Sequence, residues 1–62
     1  MTREQMQDRM IKTFGYEDTR TIMFAEMCEN HPDNEWQNAK LQELMESIIY
    51  LKKFENRGWQ NP

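Results

Sequence analysis

Apolar residues along this chain fall at helical spacing in three stretches, separated by two punctuation marks, Gly15 and the run His31-Pro32-Asp33. In the first stretch Met6, Met10, Phe14 and Ile11 lie within an arc of about 140° at about 100° per residue, with Gln5, Asp8, Arg9 and Lys12 on the other side. Thr2 followed by Gln5 fits a capping box, in which each side chain satisfies a free backbone N–H of the first turn. Gly15 is the natural stop, because glycine enters the left-handed region without steric cost. These signals predict an amphipathic helix over 2–14.

The second stretch predicts a helix over 18–30, capped by Asp18 or Thr19 with Tyr16 at the bend. Its apolar residues Ile22, Met23, Phe24, Ala25, Met27 and Cys28 nearly encircle the axis. Phe24, Met27, Cys28, Thr21 and His31 share one face, and Ile22 lies almost opposite Phe24. A short helix that is apolar most of the way round is expected at the centre of a bundle, touching more than one neighbour. Pro32 ends it, since the residue before a proline avoids the α region.

The third stretch is the longest, 34–56, with Asp33 or Asn34 as N-cap and Glu35 suiting the positive end of the helix dipole. Lys52, Lys53 and Arg57 suit the negative end. Leu51, Leu44, Ile48, Leu41, Met45 and Ile49 span about 160°, wide enough to pack on two helices. Gly58 is read as the stop, leaving 58–62 as a short C-terminal tail. Short connections between amphipathic helices predict an all-α fold, an antiparallel three-helix bundle over 1–57. A β reading is weak: valine is absent and strict alternation does not persist.

Size changes this picture. Sixty-two residues make one domain, and a chain this short buries only about 60% of its unfolded surface. Such scaffolds usually gain a staple, a metal or an oligomer. A single cysteine, Cys28, excludes an internal disulfide. One thiol and a polar start, Met1-Thr2-Arg3-Glu4, favour a reducing, cytoplasmic setting, and no apolar run approaches the length of a membrane span.

Charge is unevenly spread. Residues 1–15 sum to +1, residues 16–46 to −6 and residues 47–62 to +2, for a net −3. An acidic middle argues against a general nucleic-acid surface. A helix-turn-helix regulator remains the alternative, with Arg20, Lys52, Lys53 and Arg57 on the phosphate backbone. A further alternative is an acidic inhibitor or nucleic-acid mimic of the kind mobile elements carry, weakened by the modest net charge and the basic end.

Candidate chemistry is sparse. Cys28-Glu29-Asn30-His31 has the spacing of half a zinc site, yet structural zinc takes four ligands, and even with Asp33 the set is short. Cys28 therefore reads as a small buried hydrophobe and His31 as a helix-end residue near the last carbonyls. Glu26, Glu29, Asp33 and Glu35 gather near one corner. A cation or a basic partner would fit there, but a solvated face is the commoner meaning of surface charge. No nucleophile–base pair and no glycine-rich phosphate loop is present, so no enzyme, no cofactor, no metal and no small-molecule substrate is expected.

What remains is aromatic. Trp36, Tyr50 and Phe54 lie some 60–120° outside the core stripe of the third helix by the same arithmetic, and Trp59 follows Gly58. Tryptophan and tyrosine are enriched at interface hot spots. In so short a chain they equally well cap the ends of the bundle. Five methionines beyond the first, including two i, i+4 pairs, point to a soft core completed by a partner. The expectation is a non-catalytic protein–protein interaction module, a homodimer or the partner of a larger protein, contacting through Trp36, Tyr50, Phe54 and Trp59.

Overall fold

In a computed structural model of the protein, which describes the backbone of residues 1–58 and the side chains of residues 1–55, the chain forms three α-helices. They are α1 (Arg3–Phe14), α2 (Thr19–Asn30) and α3 (Glu35–Gly58). Each packs on the other two, giving the expected three-helix bundle, elongated to 44 × 21 × 16 Å. No helix among the described residues is long and apolar enough to cross a membrane. The tail beyond Gly58, with Trp59, lies outside the described residues. The third helix runs through Gly58 instead of ending at 56.

The predicted caps are present. Thr2 and Gln5 form the full capping box of α1: the Gln5 N–H donates to Thr2 Oγ1 at 3.1 Å and the Thr2 N–H to Gln5 Oε1 at 2.9 Å. Asp18 caps α2 by accepting the Arg20 N–H at 2.8 Å, and Asn34 caps α3 by accepting the Gln37 N–H at 2.8 Å. Gly15 closes α1 by donating to Ile11 O at 2.7 Å. Its φ of +101° is positive as expected, but its ψ of 161° is extended. That combination lies outside the left-handed helical region and is available essentially to glycine alone. His31 leaves α2 in an extended conformation, as Pro32 requires.

The core consists of Met6 and Met10 from α1, Phe24 and Cys28 from α2, and Leu41 and Met45 from α3. Phe14, Met27, Ile48 and Ile49 pack around it half-buried. Half of the six core side chains are methionines, whose unbranched thioethers fill the irregular space between three helices. Met23 is exposed instead, so the methionine pattern divides between core and surface.

Two expectations are corrected. The helix that touches both neighbours most extensively is α1, not α2. Ile22 and Met23, about half exposed, show why: α2 presents one apolar face inward, and its remaining apolar residues have no helix to cover them. Leu51, counted with the core stripe, is 58% exposed. Its azimuth is compatible with burial, but it lies more than one turn beyond Met45, the last fully buried residue of α3.

Polar fastenings hold the two ends of the bundle. At the lower end, Arg3 of α1 donates from Nη1 to Cys28 O, from Nη2 to Pro32 O and from Nε to Asn38 Oδ1 of α3. Asn38 in turn donates to Asp33 Oδ1 at 2.8 Å. One guanidinium thus joins all three helices. It also brings a cation to the C-terminus of α2, whose last turn has no basic residue and carries Glu26 and Glu29 close by.

Replacing Arg3 by Ala leaves two carbonyls and Asn38 without that donor, and is expected to cost about 1–3 kcal/mol. Arg3→Lys should recover less than half of the loss, because an ammonium lacks the planar fork that reaches three acceptors. Urea-denaturation midpoints of the three proteins check both statements.

Candidate functional site

The outer face of α3 is where the predicted contact residues meet solvent. Helical arithmetic places Trp36 and Phe54 at the same azimuth, five turns and about 27 Å apart along the axis, directly opposite Met45. Trp36 is 64%, Tyr50 57% and Phe54 47% exposed. They are therefore not end caps of the core, which was the competing reading of these aromatics.

The structure joins only some of them. Tyr50 and Phe54 stand one turn apart with ring centroids 5.2 Å apart at 75°, an edge-to-face pair. Leu51 adjoins them on the same exposed end. Trp36 stands alone near the start of α3, with Lys40 Nζ 4.6 Å from its ring centroid. The candidate contact patch is thus Tyr50, Leu51 and Phe54, with Trp36 as a separate feature. Leu51 was missed because its azimuth belongs to the core stripe. The signal that finds it is length: α3 outruns the two short helices that would cover it.

Below this patch the electrostatics centre on Arg20. Its guanidinium bonds Asp18 Oδ1 and Oδ2, both at 2.9 Å, and Glu55 Oε2 at 2.6 Å. The same group lies 4.0 Å from the centroid of the Phe14 ring. Arg20 therefore ties α2 to α1 and to the far part of α3, the counterpart of Arg3 at the upper end. The Arg20 side chain, followed by its backbone N–H, lowers the Asp18 carboxyl from 3.8 to about 2. Arg20 itself is pushed above its ordinary value, chiefly by the hydrogen bonds to Asp18.

This arrangement bears on the cations named for nucleic acid. Arg20 is engaged on both its edges and one face. Lys52 is half-buried, its Nζ 6.0 Å from the Phe14 ring. Lys53 is exposed on the outer side, its Nζ 6.0 Å from the Tyr50 ring. The side chain of Arg57 lies outside the described residues.

Cys28 is buried in the core, and its carbonyl is the acceptor of Arg3. His31 is exposed, with Nδ1 2.7 Å from Met27 O on its own helix. Among the described residues no three His, Cys, Asp or Glu side chains gather as a metal site would need. In the acidic corner, Asp33 accepts from Asn38, and Arg3 donates to Pro32 O of the turn and to Asn38 of α3.

A groove of about 270 Å³ that sequence reasoning did not anticipate runs between α1 and α2. Ile11, Tyr16, Ile22 and Ala25 line its apolar part, and Glu26 and Glu29 stand along it. The sequence signal for it was Ile22, almost opposite Phe24 on α2.

The Asp18 carboxyl has a lower pKa in the folded chain than in the unfolded one, so the unfolded state takes up its proton first as pH falls. Its contribution to stability is complete above about pH 4 and is lost as pH drops through about 2. Asp18→Asn keeps a capping side chain but not this titration. Between pH 4 and 2 the wild-type denaturation midpoint should fall more steeply than that of the variant; parallel curves would contradict the assignment.

Comparison of the chain with protein-family models, with curated proteins and with solved structures finds no match.

Proposed function

We propose that this chain is a non-catalytic protein–protein interaction module that docks through the outer face of α3, either onto a second copy of itself or onto a larger protein. The observation that carries the reading is the Tyr50–Leu51–Phe54 patch. Three large apolar side chains are about half exposed at one end of a small molecule whose core, among the described residues, holds six buried apolar residues. Exposed apolar residues scattered singly need no explanation, but a contiguous group of them does.

The chemistry of the patch suits protein contact. An edge-to-face aromatic pair presents large area with few rotamers to freeze, and the Tyr50 hydroxyl supplies a polar handle. Lys53 adds a flexible cation beside the rings. Trp36, two-thirds exposed under Lys40, offers a second, more distant contact.

Association should therefore depend on Phe54 more than on Trp36. Phe54→Ala is expected to weaken self-association by about tenfold or more, as truncation of an interface aromatic commonly does, while far-UV helicity and the unfolding midpoint stay at wild-type values. Sedimentation equilibrium across a concentration series, paired with thermal unfolding, makes the test. Equal loss of stability and association would place Phe54 in the core and end the reading.

A further inference from the structure

We infer that the groove between α1 and α2 is a second docking surface, and that its occupant is a basic segment of another protein. That segment carries a large apolar side chain with a lysine or arginine about 10 Å further along. No residue of α3 lines the groove, so this goes beyond the α3 contact proposed above and stands or falls apart from it.

The packing of the two helices gives the groove two unlike ends. Thr21 Oγ1 donates to Met10 O at 3.5 Å and Arg3 donates to Cys28 O, so α1 and α2 run antiparallel in a fixed register. That register brings Ile11 and Ile22 together towards the upper end, with Tyr16 and Ala25. Glu26 follows, and Glu29 marks the lower end. There Glu4 lies on the face of α1 that carries Gln7 and Ile11, by helical arithmetic. Along α2, Ile22 and Glu29 are about 10 Å apart at 1.5 Å per residue.

The upper end is apolar and open to solvent: Tyr16 is 76% and Ile22 48% exposed. The groove's volume, about 270 Å³, lies below the roughly 300–1,000 Å³ of clefts that enclose a small molecule. It suits a side chain or two from a protein segment.

The lower end has no counter-charge. Glu4, Glu26 and Glu29 make no ion pair among the described residues. The cations of α1 and α2 are turned elsewhere. Arg3 meets Cys28 O, Pro32 O and Asn38 but neither carboxylate of the groove, and Lys12 pairs with Asp8 at 2.9 Å. Arg9 lines a cleft against Glu46 and Ile49 of α3, and Arg20 is bonded to Asp18 and Glu55. Glu26 and Glu29 also stand near the C-terminal end of α2, where the helix dipole disfavours an anion and favours a cation. The complementary occupant is therefore apolar at one end and cationic at the other. The chain's own exposed apolar patch is not that occupant, because Tyr50 and Leu51 share their surface with Glu43 and Glu46, and Glu55 follows Phe54.

Peptide-phage display against the full chain, with a library of random linear peptides at low salt, supplies the probe. Enriched peptides should pair a large apolar residue with a lysine or arginine about three residues on if extended, or about seven if helical. By fluorescence anisotropy, the best enriched peptide should bind the Glu26→Gln, Glu29→Gln double variant about tenfold more weakly than wild type. Ile22→Ala should weaken it as well, Phe54→Ala should not, and added salt should weaken it in the wild type. Thermal unfolding of the double variant should stay at or above the wild-type midpoint, since two anions leave the wrong end of a helix dipole. Loss of binding is then separate from loss of fold. Failure to enrich any peptide, or enrichment without the apolar–cation spacing, overturns the inference. Binding that either groove variant leaves unchanged overturns it too. Loss of binding in Phe54→Ala places the peptide on α3 and also overturns it. Wild-type self-association that Ile22→Ala abolishes assigns the groove to a second copy and overturns the choice of occupant.

Discussion

At 1.5 Å per residue, α1 and α2 are each about 18 Å long and α3 is about 36 Å, so the two short helices leave one whole side and part of the length of α3 uncovered. Two antiparallel helices of 12 residues can bury only the part of a 24-residue helix that lies alongside them. Leu41 and Met45 face the short helices and are buried; Tyr50 and Phe54 lie on the opposite side of α3 and, with Leu51 at the edge of the core stripe, are exposed. The exposure of Tyr50 and Phe54 follows from azimuth: Trp36, at the azimuth of Phe54 near the start of α3, is exposed as well.

A core of six residues stabilises a chain of this size only modestly. Polar fastening at both ends compensates. Arg3 closes the lower end by bonding two carbonyls around the α2–α3 turn and Asn38. Arg20 closes the upper end by reaching Asp18, Glu55 and the face of Phe14. In both cases an arginine succeeds through its fork of donors, which meets several acceptors in fixed directions. The second fastening also extends the packed length of α3 to Glu55, which keeps the projecting end helical while leaving its outer face open.

Much of the fold was legible in the sequence because it is written in local rules. The capping box of Thr2 and Gln5, the Asp18 and Asn34 caps, the positive φ of Gly15 and the break before Pro32 all depend on residues within a turn of one another. The burial of Phe24, Cys28, Leu41 and Met45 followed from periodicity. What periodicity cannot supply is how far each neighbour extends. Leu51 therefore read as core, and α2 read as central because its apolar residues encircle it. The inter-helix bonds of Arg3 and Arg20 gave no signal, since Cys28, Asn38 and Glu55 lie 25 to 35 residues from them in the chain. Trp36, Tyr50 and Phe54 read as lying outside the core stripe and are exposed, but their separation into a Tyr50–Phe54 pair and an isolated Trp36 needed the geometry of the helix. The groove between α1 and α2 was hidden for a related reason: it is made by the gap between two elements, and only Ile22 hinted at it.

The central claim is that α3 has a covered half and an uncovered end, and that a second protein surface covers the end. Amide hydrogen exchange along α3, followed at low and at high protein concentration, tests this most directly, because protection reports local opening. The account predicts slow, concentration-independent exchange around Leu41–Met45. It predicts faster exchange over Tyr50–Glu55 in dilute solution, slowing as concentration rises. Equal protection along the whole of α3 at every concentration would contradict it.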